Sequence, residues 1–385
     1  MSTTALADLA RRIQQWMRRT LATQSAKEHP SRLDDEFNAF ALELHSLQLS
    51  DNPAYAALCR TQGAVPGVVK HWRAIPAVPV SAFKQLEMTS LPPEQRIAMF
   101  CSSGTTGHVP SRHFHNAESL VLYEASLLEW FRVCAGSVTK ADVLAPEDHP
   151  ALFVSLTPDS QEAPHSSLVH MFETVSRHFG AAGSICCGRV EAEGTWLVDL
   201  TSFENALTEA RRADRPIFLL GTAFNFVHLL EAEAARAGLF QLPAGSRVLE
   251  TGGYKGRVRS KPKEQLHREL SDQLGVAKEA IVSEYGMSEL SSQAYDRAWN
   301  PNDPKVTSRS FRFPPWARVV VVSPETGDEV AEGEPGLLRI WDLANVWSAL
   351  AIQTEDLGIR RGVGFELMGR ATLAEPRGCS LMAKA

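Results

Sequence analysis

Cysteine is scarce in this chain of 385 residues, which has six, at positions 59, 101, 134, 186, 187 and 379. They form no Cys-x-x-Cys pair and stand near no histidine cluster, which excludes the usual zinc sites. Six irregularly spaced cysteines in so long a chain also make no disulfide framework. Reduced thiols, and with them a cytoplasmic location, are the expectation. Long hydrophobic runs are missing too. No stretch of 18 apolar residues occurs, so no membrane span is expected. The N-terminal arginines Arg11, Arg12, Arg18 and Arg19 are not followed by an uninterrupted apolar run, which argues against a signal peptide. Nor is there an excess of positive charge. A formal net charge of −6 gives no electrostatic case for nucleic acid or an anionic membrane as partner, although a locally positive cleft would still take a small anion.

What is present fits a globular protein. Hydrophobic residues at 44% and charged residues at 22% suit a buried core, and the length suits one large domain or two ordinary ones. Residues 1 to about 60 repeat apolar positions at three and four, the spacing of helices. Ile13, Trp16, Met17 and Leu21 read as the inner face of an amphipathic helix packed on the body rather than on a membrane. Prolines 66, 76 and 79 break the pattern, and Ile75–Val80 is expected to be an extended connector. From about residue 96, short apolar runs alternate with amphipathic stretches. The runs are Ile97–Phe100, Leu152–Leu156, Pro216–Leu220, Arg247–Glu250 and Ala280–Ser283, an α/β signature. After about 310 the style changes. The β-branched run Arg318–Val322, the turn Pro324–Asp328, and the short strands Gly336–Ile340 and Gly364–Met368 predict a small antiparallel unit. The expected organisation is an α/β body over 1–310, a small β subdomain over 311–370 and a short tail over 371–385.

The most informative segment is Phe100-Cys101-Ser102-Ser103-Gly104-Thr105-Thr106-Gly107. It follows an apolar strand and puts four hydroxyls and two glycines into the six residues from Ser102 to Gly107. Glycines let a backbone approach a polyphosphate with its N–H groups turned inward, and hydroxyls add donors. His108, Arg112 and His113 follow and are expected to supply positive charge. The segment is no Walker A loop, since no Gly-Lys-Ser/Thr follows, and taken alone a polar surface turn competes with phosphate binding.

Here the chain resembles the adenylate-forming superfamily of acyl-CoA synthetases, luciferases and peptide-synthetase adenylation domains. Ser102–Gly107 is similar to its phosphate loop. Gly252-Gly253 resembles its adenine-binding segment. Tyr285-Gly-Met-Ser-Glu289 resembles its Tyr-Gly-x-Thr-Glu motif, with Ser288 for Thr. Thr354-Glu-Asp-Leu-Gly358 resembles its Thr-Gly-Asp-Leu-Gly motif, with Glu355 for Gly, and Gly369-Arg370 stands where its hinge begins. The resemblance implies an α/β fold of mixed sheets flanked by helices, with a small β subdomain. Within the superfamily, five segments are similar to bacterial acyl-protein synthetases of the bioluminescence fatty-acid reductase complex. They are Ile75–Lys84, Cys101–Gly107, His165–Leu168, Gly252–Lys255 and Arg377–Ser380. That likeness implies a fatty acid substrate, ATP and Mg2+, and transfer of the acyl group to a cysteine of the enzyme. It also implies an acyl-CoA reductase and an acyltransferase as partners.

The chemistry assigns the roles. Activating a carboxylate at the α-phosphorus of ATP requires neutralised phosphates and aligned reactants. The resemblance places Ser102, Ser103, Gly104, Thr105, Thr106 and Gly107 on the phosphates and Glu289 on Mg2+, an ion that takes carboxylate and phosphate oxygens. It places Asp356 on the ribose hydroxyls, Tyr285, Gly252 and Gly253 at the adenine, and Arg370 near the ribose or α-phosphate. His165 reads as a buried, hydrogen-bonded histidine outside the catalytic set. Phe224, Phe226 and Leu229, in a segment like the family's acyl-pocket helix, would line a pocket or simply fill core. Family members carry a further C-terminal domain that supplies a lysine, whereas fifteen residues follow Arg370 here and Lys384 is the lysine among them. Cys379, close after the hinge and beside Arg377, is favoured as acyl acceptor over Cys101, whose place at a strand end suggests burial. Two other functions compete: a phenylacetate-type CoA ligase, and a non-catalytic nucleotide- or acyl-binding protein.

Overall fold

The structure is a computed structural model. It describes residues 2–23, 30–65, 67–102, 109–136, 150–191, 194–234, 238–252, 261–296 and 309–371. Three helices open the chain: α1 (Ser2–Thr23), α2 (Pro30–Asp51) and α3 (Pro53–Thr61). Ile13, Trp16 and Met17 of α1 are buried in the main core, so this face packs on the body as expected. The α3 start shows local sequence at work. Asn52 accepts the Tyr55 amide at 3.1 Å, and Pro53 sits where its missing N–H costs nothing.

The next strands are β1 (Val78–Pro79) and the hairpin β2 (Ala98–Cys101) and β3 (Arg112–His115), with the short helix α4 (Ala82–Gln85) between. Then come α5 (Ala117–Gly136), β4 (Leu152–Ser155), α6 (Ser167–Phe179) and β5 (Ile185–Cys186), followed by the hairpin β6 (Gly188–Val190) and β7 (Trp196–Val198). After these lie α7 (Leu200–Arg212), β8 (Ile217–Thr222), α8 (Ala223–Ala234), β9 (Arg247–Thr251), α9 (Lys263–Leu274), β10 (Ile281–Tyr285) and β11 (Ala294–Tyr295).

Six of these strands form one sheet in the order β11-β10-β9-β8-β4-β5, parallel except for β11. Its central strands are buried at almost every position because both faces are covered, and β4 and β8 are the most apolar of them. The faces alternate residue by residue. Leu152, Val154, Leu219, Val248 and Ile281 join the core beneath α7, α8 and α9. Phe153, Phe218, Leu220, Leu249 and Val282 join the core shared with α5 and α6. Phe226 and Leu229 of α8 are fully buried in the first of these cores and Phe224 is half-buried, so the first two fill core.

The second sheet is built from β12 (Ala317–Val322), β13 (Pro335–Asp342), β14 (Ala351–Arg361) and β15 (Gly364–Arg370), all antiparallel. The connector expected over 75–80 is more than a connector. Val78 and Pro79 pair in parallel with Ile352 and Gln353, so a strand from early in the chain completes this sheet. Val78 is fully buried there, and proline is tolerated because the strand lies at an edge.

Candidate active site

In an open, mostly parallel sheet the loops beyond the strand ends gather at one edge, where ligands bind. The edge at the C-terminal ends of β9 and β10 carries two of the sequence motifs, those beginning at Gly252 and Tyr285. β9 ends at Thr251 and runs into Gly252, whose φ of 73° lies in the left-handed region. Among the described residues no atom beyond its chain neighbours stands within 4 Å of where its Cβ would be, and the backbone angle itself calls for glycine. Beside it, β10 ends at Tyr285, and Glu284 lies opposite Thr251 in the ladder.

Tyr285 is buried. Its ring packs edge-on to Phe365 and Phe313, at 5.3 and 6.1 Å between centroids, and its hydroxyl donates to Asp356 Oδ2 at 2.9 Å. Asp356 belongs to β14, so this bond ties the parallel sheet to the second one. Burial pushes the Asp356 carboxyl up, while the Tyr285 hydroxyl and Arg370 pull it down. Arg370 of β15 sits directly across the ladder from Asp356. Its Nε lies 3.5 Å from Oδ1, and 71% of its side chain is exposed. An acceptor, an aromatic hydroxyl and a solvent-facing guanidinium therefore meet at one point.

Glu289 follows in the turn after β10, with its side chain 3% exposed and bonded by Ser288 Oγ at 3.0 Å. Among the described residues no lysine, arginine or histidine forms an ion pair with it, and no three metal-ligating side chains cluster. A buried carboxylate without a cation suits a hard ion whose remaining ligands are phosphate and water oxygens. Ser102, the first residue of the phosphate segment, continues the β2–β3 ladder by a bond to Ser111. Ser103 to His108, Gly253 and the tail from 372 onward, with Arg377, Cys379 and Lys384, lie outside the described residues.

The sequence profile of the family described as Acyl-protein synthetase, LuxE, matches residues 24–385. The chain belongs to that family. A long-chain-fatty-acid–luciferin-component ligase of Vibrio harveyi is 23% identical over 382 residues, 96% of this chain and 89% of that protein. Its counterpart from Aliivibrio fischeri is 24% identical over 322 residues, 80% of this chain and 77% of that one. Among solved structures, 2-hydroxyisobutyryl-CoA ligase in complex with 2-HIB-AMP and CoA has a TM-score of 0.61. At 12% identity, that similarity covers 89% of this chain and 69% of the ligase, and it shows the fold to be that of adenylate-forming enzymes. The chain spans about half of the ATP-bound MatB from Rhodopseudomonas palustris, 49% of its length, at a TM-score of 0.47 and 16% identity. As a member of this family the chain is an acyl-protein ligase.

Three side chains of this acyl-protein synthetase sit differently from expectation. His113, expected to supply positive charge, is buried, and desolvation lowers its pKa to about 4, so it is neutral at physiological pH. Arg112 is turned toward Glu87, 3.6 Å away, and the Phe114 ring. His165, expected to be buried, is exposed. Its Nδ1 lies 3.1 Å from the Met99 carbonyl, and its own carbonyl accepts the Cys101 amide at 2.8 Å. Cys101 is half-buried, and burial pushes its thiol up, away from the thiolate that an acceptor needs.

Sequence reading missed Glu284 altogether. It is buried at the end of β10 and hydrogen-bonded to the Thr251 hydroxyl, and desolvation, with Glu250 nearby, pushes its carboxyl up to about 7. The available signal was a carboxylate inside Ile281–Tyr285, a strand buried at every position.

Proposed function

We propose that this acyl-protein synthetase uses ATP to activate a long-chain fatty acid and passes the acyl group to its own Cys379. The fatty carboxylate attacks the α-phosphorus, the bond to the β-phosphate oxygen breaks, and pyrophosphate leaves behind an acyl-adenylate. The Cys379 thiolate then attacks the acyl carbonyl, and AMP departs as the thioester forms.

The observation that carries the reading is the meeting of four motif residues from distant parts of the chain. Tyr285 bonds Asp356, Arg370 faces Asp356, and Glu289 lies in the same turn as Ser288 beside the hairpin that carries Ser102. In this reading Ser102–Gly107 bind the phosphates, and Gly252, Gly253 and Tyr285 border the adenine. Asp356 takes the ribose hydroxyls, and Arg370 draws in the α-phosphate or ribose. Glu289 would hold Mg2+, which supplies neutralisation of polyphosphate charge when bound. The division into a body over 1–310, a β subdomain over 311–370 and a tail bearing Cys379 goes with the same reading. So do a cytoplasmic location and service to an acyl-CoA reductase and an acyltransferase that take the acyl group onward. Among the described residues no helix is long and apolar enough to cross a membrane.

The test is incubation with ATP, Mg2+ and a radiolabelled long-chain fatty acid, followed by a denaturing gel and intact mass. Self-acylation requires a label that survives denaturation, is released by neutral hydroxylamine and is absent from Cys379→Ser. Pyrophosphate exchange without bound label would make the acceptor a free thiol such as CoA. No exchange at all would leave a binding protein.

A further inference from the structure

The two segments that would handle phosphate and Mg2+ are far apart in sequence, yet buried side chains join them directly. Ser111, just before β3, donates its amide to Ser102 Oγ at 3.0 Å and accepts the Ser102 amide at 3.3 Å, so it extends the hairpin to the first residue of the phosphate segment. Its hydroxyl lies 3.4 Å from Ser288 Oγ, which in turn donates to Glu289 Oε2 at 3.0 Å. Two residues along, the His113 Nδ1 is 2.9 Å from the Ser288 carbonyl. A carbonyl only accepts, so the Nδ1 carries the hydrogen and the ring is held in that tautomer. From the other side, Asn345 Nδ2 donates to the Glu289 carbonyl at 3.0 Å. Ser111, His113, Ser288 and Glu289 are all less than 9% exposed, so water does not compete for these bonds.

We propose that Ser111 and His113 are positioning residues for Glu289: they fix the turn that presents its carboxylate against the hairpin that launches the phosphate segment. This rests on the function proposed above. The geometric logic is that a metal bridging a carboxylate and a polyphosphate tolerates little error in their separation. A histidine present only as filler would need its ring volume and not its donor. The bond to Ser288 is directional, and it comes from the same strand whose outer end is tied to Ser102. Alternate residues of a strand share a face, so Ser111 and His113 reach Ser288 together while Arg112 points away toward Glu87.

The experiment compares His113→Leu, which keeps bulk without a donor, with His113→Asn, whose amide donates from nearly the place of Nδ1. Ser111→Ala serves as a second variant that leaves the backbone ladder intact. In each full-length protein, pyrophosphate exchange is measured against Mg2+ and against fatty acid, and amide deuterium exchange is followed over residues 286–292 without ligand. In His113→Leu the Mg2+ concentration for half-maximal exchange should rise roughly tenfold, with KM for the acid within about twofold, the range expected for one buried bond left unmade. Protection of 286–292 should fall in His113→Leu and Ser111→Ala and return in His113→Asn. Equal loss in His113→Leu and His113→Asn, or unchanged Mg2+ dependence and protection in His113→Leu, overturns the proposal. A wild-type protein that exchanges no pyrophosphate would overturn the activation reading instead, and the deuterium comparison would still decide whether the hairpin holds the turn.

Discussion

The hydroxyl of Tyr285, at the end of the parallel sheet, donates to Asp356 Oδ2 of the antiparallel sheet across 2.9 Å. The two residues are 71 positions apart, and each belongs to a motif that the resemblance assigns to nucleotide. In the proposed reading the bond therefore aligns two halves of one nucleotide site. Tyr285→Phe keeps the ring among Phe311, Phe313 and Phe365 and deletes only the donor. KM for ATP in pyrophosphate exchange should rise by roughly 5- to 20-fold, and stability should fall by about 1–2 kcal/mol. An unchanged KM would mean that Asp356 is positioned without Tyr285.

Glu289→Gln should separate stability from activity. The side chain is buried, bonded by Ser288 Oγ and meets no cation among the described residues, so an amide of the same shape keeps the packing and an acceptor oxygen while losing the carboxylate a metal ion takes. Its melting temperature should equal or exceed that of the wild type, while Mg2+-dependent exchange falls by roughly 10²-fold or more. A variant that loses both together would make Glu289 structural.

The strands were legible where burial on both faces left short, mostly apolar runs, as at Leu152–Leu156 and Pro216–Leu220. The antiparallel end was legible through the turn at Pro324–Asp328. What stayed hidden depends on contacts that local periodicity does not carry. Val78 and Pro79 pair with Ile352 and Gln353, more than 270 residues away, and nothing in Ile75–Val80 points to that partner. The order of the motifs suggested which residues belong together, but it could not give the charge of His113. Arg112-His-Phe-His115 reads as a polar strand, and only the packed hairpin strips water from its histidines. His165 failed in the opposite sense, because a flanking proline and serines say little about exposure.

Gly286 stands between Tyr285 and the Ser288–Glu289 turn, and its reason lies two residues back. A Cβ there would come within 2.3 Å of Glu284 Oε1. The Glu284 side chain could give way only by loosening its bond to the Thr251 hydroxyl. Gly286→Ala should therefore cost about 1–3 kcal/mol in urea unfolding. Adding Glu284→Ala should recover part of that loss, because the second change removes the clash. Strict additivity in this double-mutant cycle would disprove the contact.

Glu284 itself sets a pH dependence whose sign follows from its burial. Desolvation, opposed by the Thr251 hydroxyl and reinforced by Glu250, lifts the folded carboxyl to about 7 from an ordinary value near 4.5. Between those values the native chain holds a proton that the unfolded chain has released. The contribution of Glu284 to stability is thus complete below pH 4.5, declines as pH rises to 7, and is constant above. Buried His45 and His113, both lowered to about 4 chiefly by desolvation, act with the opposite slope over pH 4–6.5, so wild-type stability alone would blur the effect. Comparison with Glu284→Gln isolates it, since the amide stays neutral throughout. From pH 4.5 to 7.5 the stability of Glu284→Gln relative to wild type should climb by up to about 3 kcal/mol, most steeply between pH 5 and 7. Parallel urea-unfolding curves across that range would place an ionised Glu284 in the native core, and the Thr251 hydroxyl would then be its essential donor.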